Sequence, residues 1–382
     1  MTVFRFELKK LLLTKAVWAF VAVALAVNIG FVAGTSEKAV IDYINEVAAV
    51  AGTEFGASYR EKLAALPVPD DPDLKEIHQG LIAGAEGYFD SFDGLSTDEL
   101  WLSKSARISG VPRALLERKY EMLSPVIARK STEGDAASVY FSVYTNEIHQ
   151  IAFVYMIRVI MAEVGALALL LMLMALRYES LSGTVDTVWA KRIGRLLALP
   201  KMLAALAALA LLFALIYGVS YSVLFGVNDF SSVWDLNVSA LYHNFPTFDG
   251  FIPFVTWTSM TVKEYFLGMT LVCFLNCAVF AFFVAPLALL CRNVLLAFGS
   301  AAAIIFLNLV SLIKVPDASI LYYALLAPPL GQALQAGRWF SEGAGFALIP
   351  HFETVYPLIC IGASVALIIP AYRRFHGKDL LA

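Results

Sequence analysis

Six long apolar runs constrain the fold of this chain more than any other sequence feature. Most of them reach the length of about 18–20 residues that an α-helix needs to cross the hydrocarbon core of a bilayer. The runs lie at Ala16–Gly34, Val159–Leu176, Met202–Phe225, Tyr265–Leu290, Val294–Ile313 and Thr354–Tyr372. Hydrophobic residues make up 59% of the 382 residues and charged residues only 15%, whereas soluble domains average about 45–50% and about 25%. The sequence therefore predicts an all-α polytopic membrane protein with six transmembrane helices.

Basic residues predict how the spans are oriented. The polar loop 177–201, between the second and third spans, contains more basic than acidic residues, and basic residues also follow the last span. The basic residues of the loop are Arg177, Lys191, Arg192, Arg195 and Lys201. Short loops rich in Lys and Arg stay on the cytoplasmic side of a membrane. We therefore expect the chain to be a multi-pass protein of the cell membrane, with this loop and both termini in the cytoplasm.

The segment 35–150, between the first two spans, is predicted to be a helical extracytoplasmic domain. Ser36 is expected to cap a helix whose apolar residues recur at helical spacing from Val40 to Ala51. Further helical pieces are predicted at about 73–90, 97–106 and 112–123, the last with Pro112 in its first helical position. Strand-like patterns are nearly absent, and from about Ala136 a helical pattern continues into the second span.

Two shorter stretches are predicted to form helices at the membrane surface. Residues 3–15 place apolar side chains on one face and basic ones off it, which is typical of an interfacial helix, although an ordinary basic flank is the alternative. In the segment 314–353, the apolar run Ile320–Ala327 is too short to span a bilayer and ends at two prolines. Leu330–Phe340 can form a second short helix, so we expect a re-entrant or interfacial element here.

Motifs for catalysis and nucleotide binding are absent from the sequence. There is no G-x-x-x-x-G-K-[ST] loop, so the chain has no P-loop with which to bind ATP, and neither H-E-x-x-H nor G-x-S-x-G occurs. All four cysteines lie in or beside the apolar runs, so the segment 35–150 contains no disulfide. We expect no enzymatic activity, no catalytic residue, no metal and no nucleic-acid partner.

Polar residues within the spans are candidates for a substrate path, namely Arg158, Glu163, Asn276 and Asn308. An ionisable residue inside a membrane is a functional hypothesis by default. The alternative for Arg158 is an interfacial position from which the side chain reaches the headgroups. For Asn276 and Asn308, hydrogen bonding between helices is the alternative.

The loop 177–201 also resembles part of a known membrane-protein family. Tyr178-Glu179 is followed by Gly183-Thr184, and Arg195 stands six residues before Lys201, which opens the next span. This pattern is similar to the loop between the second and third helices of ABC-2-type transporter permeases. That family often has a Pro just before the Arg, where this chain has Ile193-Gly194.

The resemblance implies a permease driven by a separate ABC ATPase subunit, which binds ATP and Mg²⁺ and docks on the loop. It also implies a second permease subunit (the same chain or another), contact with membrane lipid, an N-terminal elbow helix and re-entrant outer helices. The implied coupling residues are Glu179, Ser182, Gly183, Thr184, Arg195 and Lys201. Glu179 and Arg195 would make charged docking contacts, Gly183-Thr184 would shape the turn, and Lys201 would anchor the third span. A solvated basic connector is the alternative interpretation of this loop.

Two classes of function are compatible with these features. The first is the permease subunit of an exporter, which removes or confers immunity to an amphipathic peptide, a drug or a lipid-like molecule. The second is a membrane receptor or sensor that uses the segment 35–150 to bind an extracellular ligand. The sequence has no cytoplasmic signalling domain, which favours the permease, and it does not choose among the substrates.

Overall fold

The computed structural model describes residues 2–54, 56–91, 108–133, 138–140, 145–184, 197–247, 250–291, 293–316, 319–343 and 347–377. The elements up to the second span are α1 (Thr2–Leu12), α2 (Lys15–Thr35), α3 (Lys38–Ala51), α4 (Ala57–Ala65), α5 (Pro72–Ser91), α6 (Gly110–Glu133) and α7, in which π-helical Thr145–Tyr155 continues into α-helical Met156–Leu181. The elements that follow are α8 (Ala198–Val227), β1 (Ala240–Thr247), β2 (Gly250–Phe254), α9 (Val262–Leu290), α10 (Val294–Lys314), α11 (Ile320–Leu326), α12 (Pro329–Leu334) and α13 (Phe352–Gly377).

The six predicted membrane helices are confirmed as helices. Within the described residues, α2, α7, α8, α9, α10 and α13 are long and apolar enough to cross a membrane. Each is longer than the apolar run that predicted it, because polar and aromatic residues extend the helix beyond the hydrocarbon-like core. The chain is therefore a multi-pass membrane protein with a nearly all-helical fold.

The centre of the bundle is α7, which packs against α8, α9 and α2. Its long apolar stretch is mostly buried inside the protein, whereas α10 is almost entirely exposed along its length. Gly165 permits the close approach of α7 and α9, since a Cβ at this position would lie 2.7 Å from the ring of Phe280. The helix α9 also packs along α13, so α7 and α9 together hold most of the other spans.

The segment between the first two spans forms the helices α3 to α6 in its described part. The predicted apolar face of α3 is confirmed, because its apolar residues from Ile41 to Ala51 are mostly buried. The prediction that Ser36 caps this helix is wrong. The N-cap is Glu37, with no side-chain hydrogen bond. The hydroxyl of Ser36 instead donates to Oδ1 of Asn228, 2.7 Å away, because α2 continues to Thr35 and leaves only two residues before α3.

The other helical pieces in this segment agree with the predictions in type and differ in length. The piece predicted at 73–90 is α5, and the piece predicted at 112–123 is α6, which begins two residues earlier and continues through Pro125. Pro112 therefore lies in the first turn rather than at the first position, where its missing N–H still leaves no hydrogen bond unmade. The piece predicted at 97–106 lies outside the described residues.

A two-stranded hairpin between α8 and α9 departs from the purely helical prediction. Strands β1 and β2 pair antiparallel, with Thr247 opposite Gly250 and Ala240 opposite Phe254. The pairing register shifts between Ala240 and Asn244. The all-α prediction included no strand, so the hairpin is an addition to the predicted fold.

The segment 314–353 contains the two short helices that its apolar pattern predicts. The first, α11, ends at Leu326, and the second, α12, begins at Pro329 and ends at Leu334, well before the predicted Phe340. Gly331 allows the two helices to pack closely, because a Cβ there would lie 2.4 Å from the Cα of Leu326.

Candidate functional site

The loop-facing end of α7 is closed by a local hydrogen-bond motif. Gly183 has a φ of +68°, which L side chains rarely adopt. This conformation lets the N–H of Thr184 donate to the carbonyl of Glu179 at 2.9 Å, the long-range bond of a Schellman C-cap. The hydroxyls of Ser182 and Thr184 lie 2.8 Å apart. Gly183 and Thr184 therefore form the turn that ends α7.

A buried ion pair joins the two helices on either side of the loop. Nζ of Lys201, in the first turn of α8, pairs with Oε1 of Glu179, near the end of α7. The two side chains are only 5% and 8% exposed. Removing one partner of a buried ion pair commonly costs about 3–5 kcal/mol, because the other charge is left uncompensated. The pair therefore fixes the distance between α7 and α8 where the chain leaves the bundle.

Two further basic side chains pack at this end of the bundle. Arg177 donates from Nε to the carbonyl of Ala288 near the end of α9. Lys10 of α1 pairs with Glu7 and lies over the ring of Tyr178, with Nζ 4.2 Å from the ring centroid. The N-terminal helix thus lies against the loop-facing end of the bundle, as an elbow helix would, although its position relative to a membrane stays a prediction.

The structure brings together most, but not all, of the predicted coupling residues. Glu179, Ser182, Gly183, Thr184 and Lys201 lie within one region. Arg195 lies outside the described residues. The sequence analysis missed Glu7 and Lys10 at this site, because nothing in a sequence shows that the first helix folds back against the loop between the second and third spans.

Arg158 binds the end of a short helix. Its Nε donates to the carbonyl of Ala333 at 2.9 Å and its Nη2 to the carbonyl of Leu334 at 2.8 Å. Both carbonyls lie at the C-terminal end of α12, and that of Ala333 also accepts from the N–H of Ala336 at 3.2 Å. The contacts favour a structural role for Arg158, since a guanidinium stabilises a helix C-terminus.

Glu163 belongs to a polar cluster between three spans. The Nδ2 of Asn28 on α2 donates to Oε2 of Glu163 on α7 and to Oγ of Ser220 on α8, each at 2.9 Å. Asn28 and Ser220 are buried, at 0% and 1% exposure. Of these three residues only Glu163 was among the sequence candidates, because the contacts of Asn28 and Ser220 depend on how α2, α7 and α8 pack together.

The two asparagines make separate, local contacts. The Nδ2 of Asn276 donates to the carbonyl of Val272 in its own helix at 3.0 Å. The Nδ2 of Asn308 donates to the carbonyl of Leu325 at 3.1 Å, which joins α10 to α11. In the described part of the chain, no hydrogen bond or ion pair joins any two of Arg158, Glu163, Asn276 and Asn308, so the structure does not unite them in one path.

At the opposite end of the bundle, a buried lysine fixes α6 to the segment that follows α12. Nζ of Lys119 donates to the carbonyls of Glu342 and Ala347 at 2.7 and 2.9 Å and lies 3.2 Å from Oε2 of Glu342. Both side chains of this ion pair are at most 1% exposed. Burial lowers the pKa of Lys119, and the Glu342 carboxylate opposes that shift. No sequence pattern indicates this contact, because the two residues are 223 positions apart.

His149 of α7 binds the same segment after α12. Its Nε2 lies 2.8 Å from the carbonyl of Gly337 and its Nδ1 lies 3.2 Å from the hydroxyl of Tyr140. Because a carbonyl only accepts, Nε2 is the donor and Nδ1 accepts from the tyrosine. His149 is fully buried among the rings of Phe153, Phe254 and Tyr265. The segment after α12 is therefore held by basic side chains from both α6 and α7.

Metal-binding clusters of three or more His, Cys, Asp or Glu residues do not occur among the described residues. No protein-family model, curated protein or solved structure matches the chain. The functional interpretation therefore depends on the chain's own sequence and geometry.

Proposed function

We propose that this chain is the membrane-spanning permease subunit of an ABC-2-type exporter, and that the loop 177–201 receives a separate ATPase subunit. The loop then lies in the cytoplasm together with both termini, and the segment 35–150 lies outside the cell. The proposal is supported by the six spans, by the spacing of Glu179, Gly183-Thr184, Arg195 and Lys201, and by the packing of α1 beside this loop.

The observation that carries the proposal is the buried ion pair between Glu179 and Lys201. A flexible connector needs no buried charge at its base, since exposed ion pairs contribute little to stability. A loop that transmits force needs both of its ends fixed to the helices that it moves. The pair links α7 to α8 and the Schellman turn fixes the path of the chain after α7, so motion of a docked subunit is passed to two spans together.

This assignment revises the role of Glu179 within the proposal. Its carboxylate is buried and paired within the chain, so it positions the loop rather than contacting the ATPase directly. The direct charged contact is assigned to Arg195. The ATP and Mg²⁺ belong to the partner subunit, and a second permease subunit completes the transporter. The proposed substrate is an amphipathic peptide, a drug or a lipid-like molecule.

The test is isolation of the tagged full-length chain from its source cells in lipid nanodiscs. We expect an ATPase subunit with a P-loop to co-purify in a fixed ratio, and the complex to hydrolyse ATP. Arg195→Ala should reduce the amount of bound ATPase. Lys263→Ala is the matched control, because it removes one positive charge from an exposed side chain at the opposite end of the bundle.

Two outcomes would contradict the proposal. The first is a chain that purifies without any nucleotide-binding subunit while it remains folded. The second is an Arg195→Ala variant that retains the ATPase as fully as Lys263→Ala does. A chain that instead binds an extracellular ligand through the segment 35–150, with no ATPase present, would favour the receptor.

A further inference from the structure

The cluster of Asn28, Glu163 and Ser220 places a partly buried carboxylate beside two buried polar side chains of the bundle. Asn28 lies seven residues before the end of α2 and Ser220 seven residues before the end of α8, so both are roughly 10 Å along the helix from those ends. Glu163 lies sixteen residues before Glu179, roughly 24 Å from the loop-facing end of the bundle. The cluster therefore lies within the apolar part of three spans and far from the proposed coupling loop.

The carboxylate of Glu163 has no basic partner. Among the described residues it forms no ion pair, and its hydrogen bond comes from the neutral amide of Asn28. The nearest charged residue on its own helix is Arg158, whose guanidinium is bound to the carbonyls of Ala333 and Leu334. An uncompensated carboxylate in an apolar medium is strongly unfavourable, so a positive charge must neutralise it.

The other helices packed against α7 supply no such charge near the cluster in their described residues. Phenols and thiols are the titratable groups in the middle of α8 and α9, and charged side chains are confined to helix ends. The phenols and thiols are Tyr217, Tyr221, Tyr265, Cys273 and Cys277. The charged residues at the ends are Arg5, Glu7, Lys9, Lys10, Lys15, Glu179, Lys201, Lys263, Glu264 and Lys314.

An unpartnered oxygen provides a second, independent observation. Oδ1 of Asn28 is buried and has no hydrogen-bond partner, although its residue is 0% exposed. Buried polar atoms without partners are rare and mark an unfilled site or an absent ion or water. The two ends of an amide have the same shape, so a half turn of the Asn28 side chain exchanges its oxygen and nitrogen.

After this rotation, three oxygens face one another. Oδ1 of Asn28 would lie about 2.9 Å from both Oε2 of Glu163 and Oγ of Ser220, at the positions that Nδ2 now occupies relative to them. Oxygens at that spacing repel unless a cation lies between them or a proton joins them. Hard cations prefer oxygen ligands at about 2.3–2.6 Å, and a cation placed beside a pair of oxygens about 2.9 Å apart reaches both of them at such a distance.

The geometry points to a binding site for a small monovalent cation, an alkali ion or a proton, formed by Asn28, Glu163 and Ser220. In the occupied state the ion neutralises Glu163 and Oδ1 of Asn28 faces it. In the structure the amide nitrogen of Asn28 faces the two oxygens. This site is independent of the proposed ATPase coupling, because none of its residues lies in the loop 177–201.

The experiment measures the thermal unfolding of the purified full-length chain in nanodiscs, without any ATPase. Sodium chloride is exchanged for N-methyl-D-glucamine chloride at constant ionic strength, and the series is repeated from neutral to mildly acidic pH. If the ion is sodium, the midpoint of unfolding rises saturably with sodium, by roughly 2–4 °C. If it is a proton, the midpoint rises as the pH falls and sodium has no effect.

Variants test whether the response of the unfolding midpoint to sodium or pH comes from Asn28, Glu163 and Ser220. Glu163→Gln should abolish it, because a neutral amide of the same shape needs no cation. Ser220→Ala should weaken apparent sodium affinity about tenfold, or displace the pH midpoint, through loss of one oxygen. Asn276→Leu is the matched control, since Asn276 is also a buried asparagine within a span and also has an unpartnered Oδ1. It should keep the wild-type response.

Infrared difference spectra provide a readout that does not depend on stability. Adding sodium, or changing the pH, should alter a carboxyl band of the wild-type chain that is missing in Glu163→Gln. The inference is overturned if the wild-type chain responds to neither ion. It is equally overturned if Glu163→Gln responds as the wild type does.

Discussion

Glu179 is a residue whose burial changes how its variants must be interpreted. Because its carboxylate pairs with Lys201 inside the protein, replacing either residue alone destabilises the chain as well as altering any docking contact. Loss of ATPase binding by a single variant therefore does not separate docking from folding. A variant that removes both charges does separate them, since no uncompensated charge then remains.

The Glu179–Lys201 pair predicts a defined pattern of stabilities. Glu179→Ala should lower the free energy of unfolding by about 3–5 kcal/mol, because Lys201 is left buried without a partner. The double variant Glu179→Leu with Lys201→Met should recover most of this loss, because well-packed apolar residues replace a buried pair at little cost. Denaturant unfolding of the purified protein in detergent measures both.

A surface pair on the same chain provides the control for this prediction. Lys38 and Asp42 lie 3.2 Å apart, with side chains 63% and 50% exposed. Asp42→Ala should change the free energy of unfolding by less than about 1 kcal/mol. A double variant at Glu179 and Lys201 that is as unstable as Glu179→Ala would show that the two side chains do not act as a pair.

Substitution of Gly183 by alanine should have the opposite effect on the stability of the protein from the same substitution at Gly218. At a φ of +68°, Gly183→Ala should destabilise the protein by about 1–2 kcal/mol, because an L side chain is strained there. Gly218 lies inside α8 with nothing within 4 Å of an added Cβ, so Gly218→Ala should stabilise it by up to about 1 kcal/mol. Equal effects of the two substitutions on denaturant unfolding would refute the assigned turn.

At the scale of elements, the buried Lys119 joins α6 to the segment that follows α12. Lys119→Ala leaves Glu342 buried without its cation and should loosen the whole helix from that segment. We expect faster amide hydrogen exchange across 110–133 in this variant, while the exchange of α8 stays unchanged. Mass spectrometry of peptides from the purified protein in nanodiscs measures the exchange.

A matched variant on the same helix tests whether the effect is specific. Arg113 and Glu117, six and two residues before Lys119 on the same helix, form an exposed ion pair at 2.8 Å. Glu117→Ala should leave the exchange of 110–133 close to that of the wild type, because exposed pairs contribute little. Equal acceleration in both variants would mean that Lys119 does not hold α6 in place.

The sequence predicts the elements of this fold better than it predicts their contacts. A run of about twenty apolar residues has few stable alternatives to a membrane-spanning helix. All six spans were therefore predicted from the apolar runs alone. The hairpin and the cap of α3 were missed, because tertiary contacts such as that between Ser36 and Asn228 override local preference. Local patterns therefore define helices well and define helix ends poorly.

The candidate sites show the same difference between contacts that are local in sequence and contacts that are not. Glu179, Gly183 and Lys201 were found because they lie within one short loop, so sequence spacing and spatial proximity coincide. The partners of Glu163 were missed, since Asn28 and Ser220 lie 135 and 57 residues away from it along the chain. A single polar residue in an apolar helix has no visible partner until the packing of three helices is known.

At the scale of the whole molecule, the two ends of the bundle differ in construction. At the loop 177–201, a short connection is fixed by charges that belong to α1, α7 and α8. At the other end, long connections pack against one another through α6, the hairpin and the segment after α12. Coupling by a cytoplasmic ATPase requires that the first end face the cytoplasm, so orientation is the property on which the proposed function depends most.

Orientation predicts which single cysteines react with a membrane-impermeant thiol reagent. In a background with Cys291→Ser and Cys360→Ser, the remaining Cys273 and Cys277 are buried and should not react. Cysteines at the exposed positions Ser58 and Ser231, which follow the far ends of α2 and α8, should be labelled on intact cells. Cysteines at the exposed positions Lys9 and Thr184 should be labelled only after the cells are permeabilised.

Each pattern of labelling has a distinct meaning for the proposed function. Charge favours the predicted orientation, because the basic loop and the basic residues after the last span would otherwise have to cross the membrane. Labelling of Lys9→Cys and Thr184→Cys alone on intact cells would place the loop 177–201 outside, where no ATP-driven subunit reaches it. Since an inverted chain keeps the same fold and the same buried ion pairs, this result would refute ATPase coupling while leaving the cation site of Asn28, Glu163 and Ser220 to be tested separately.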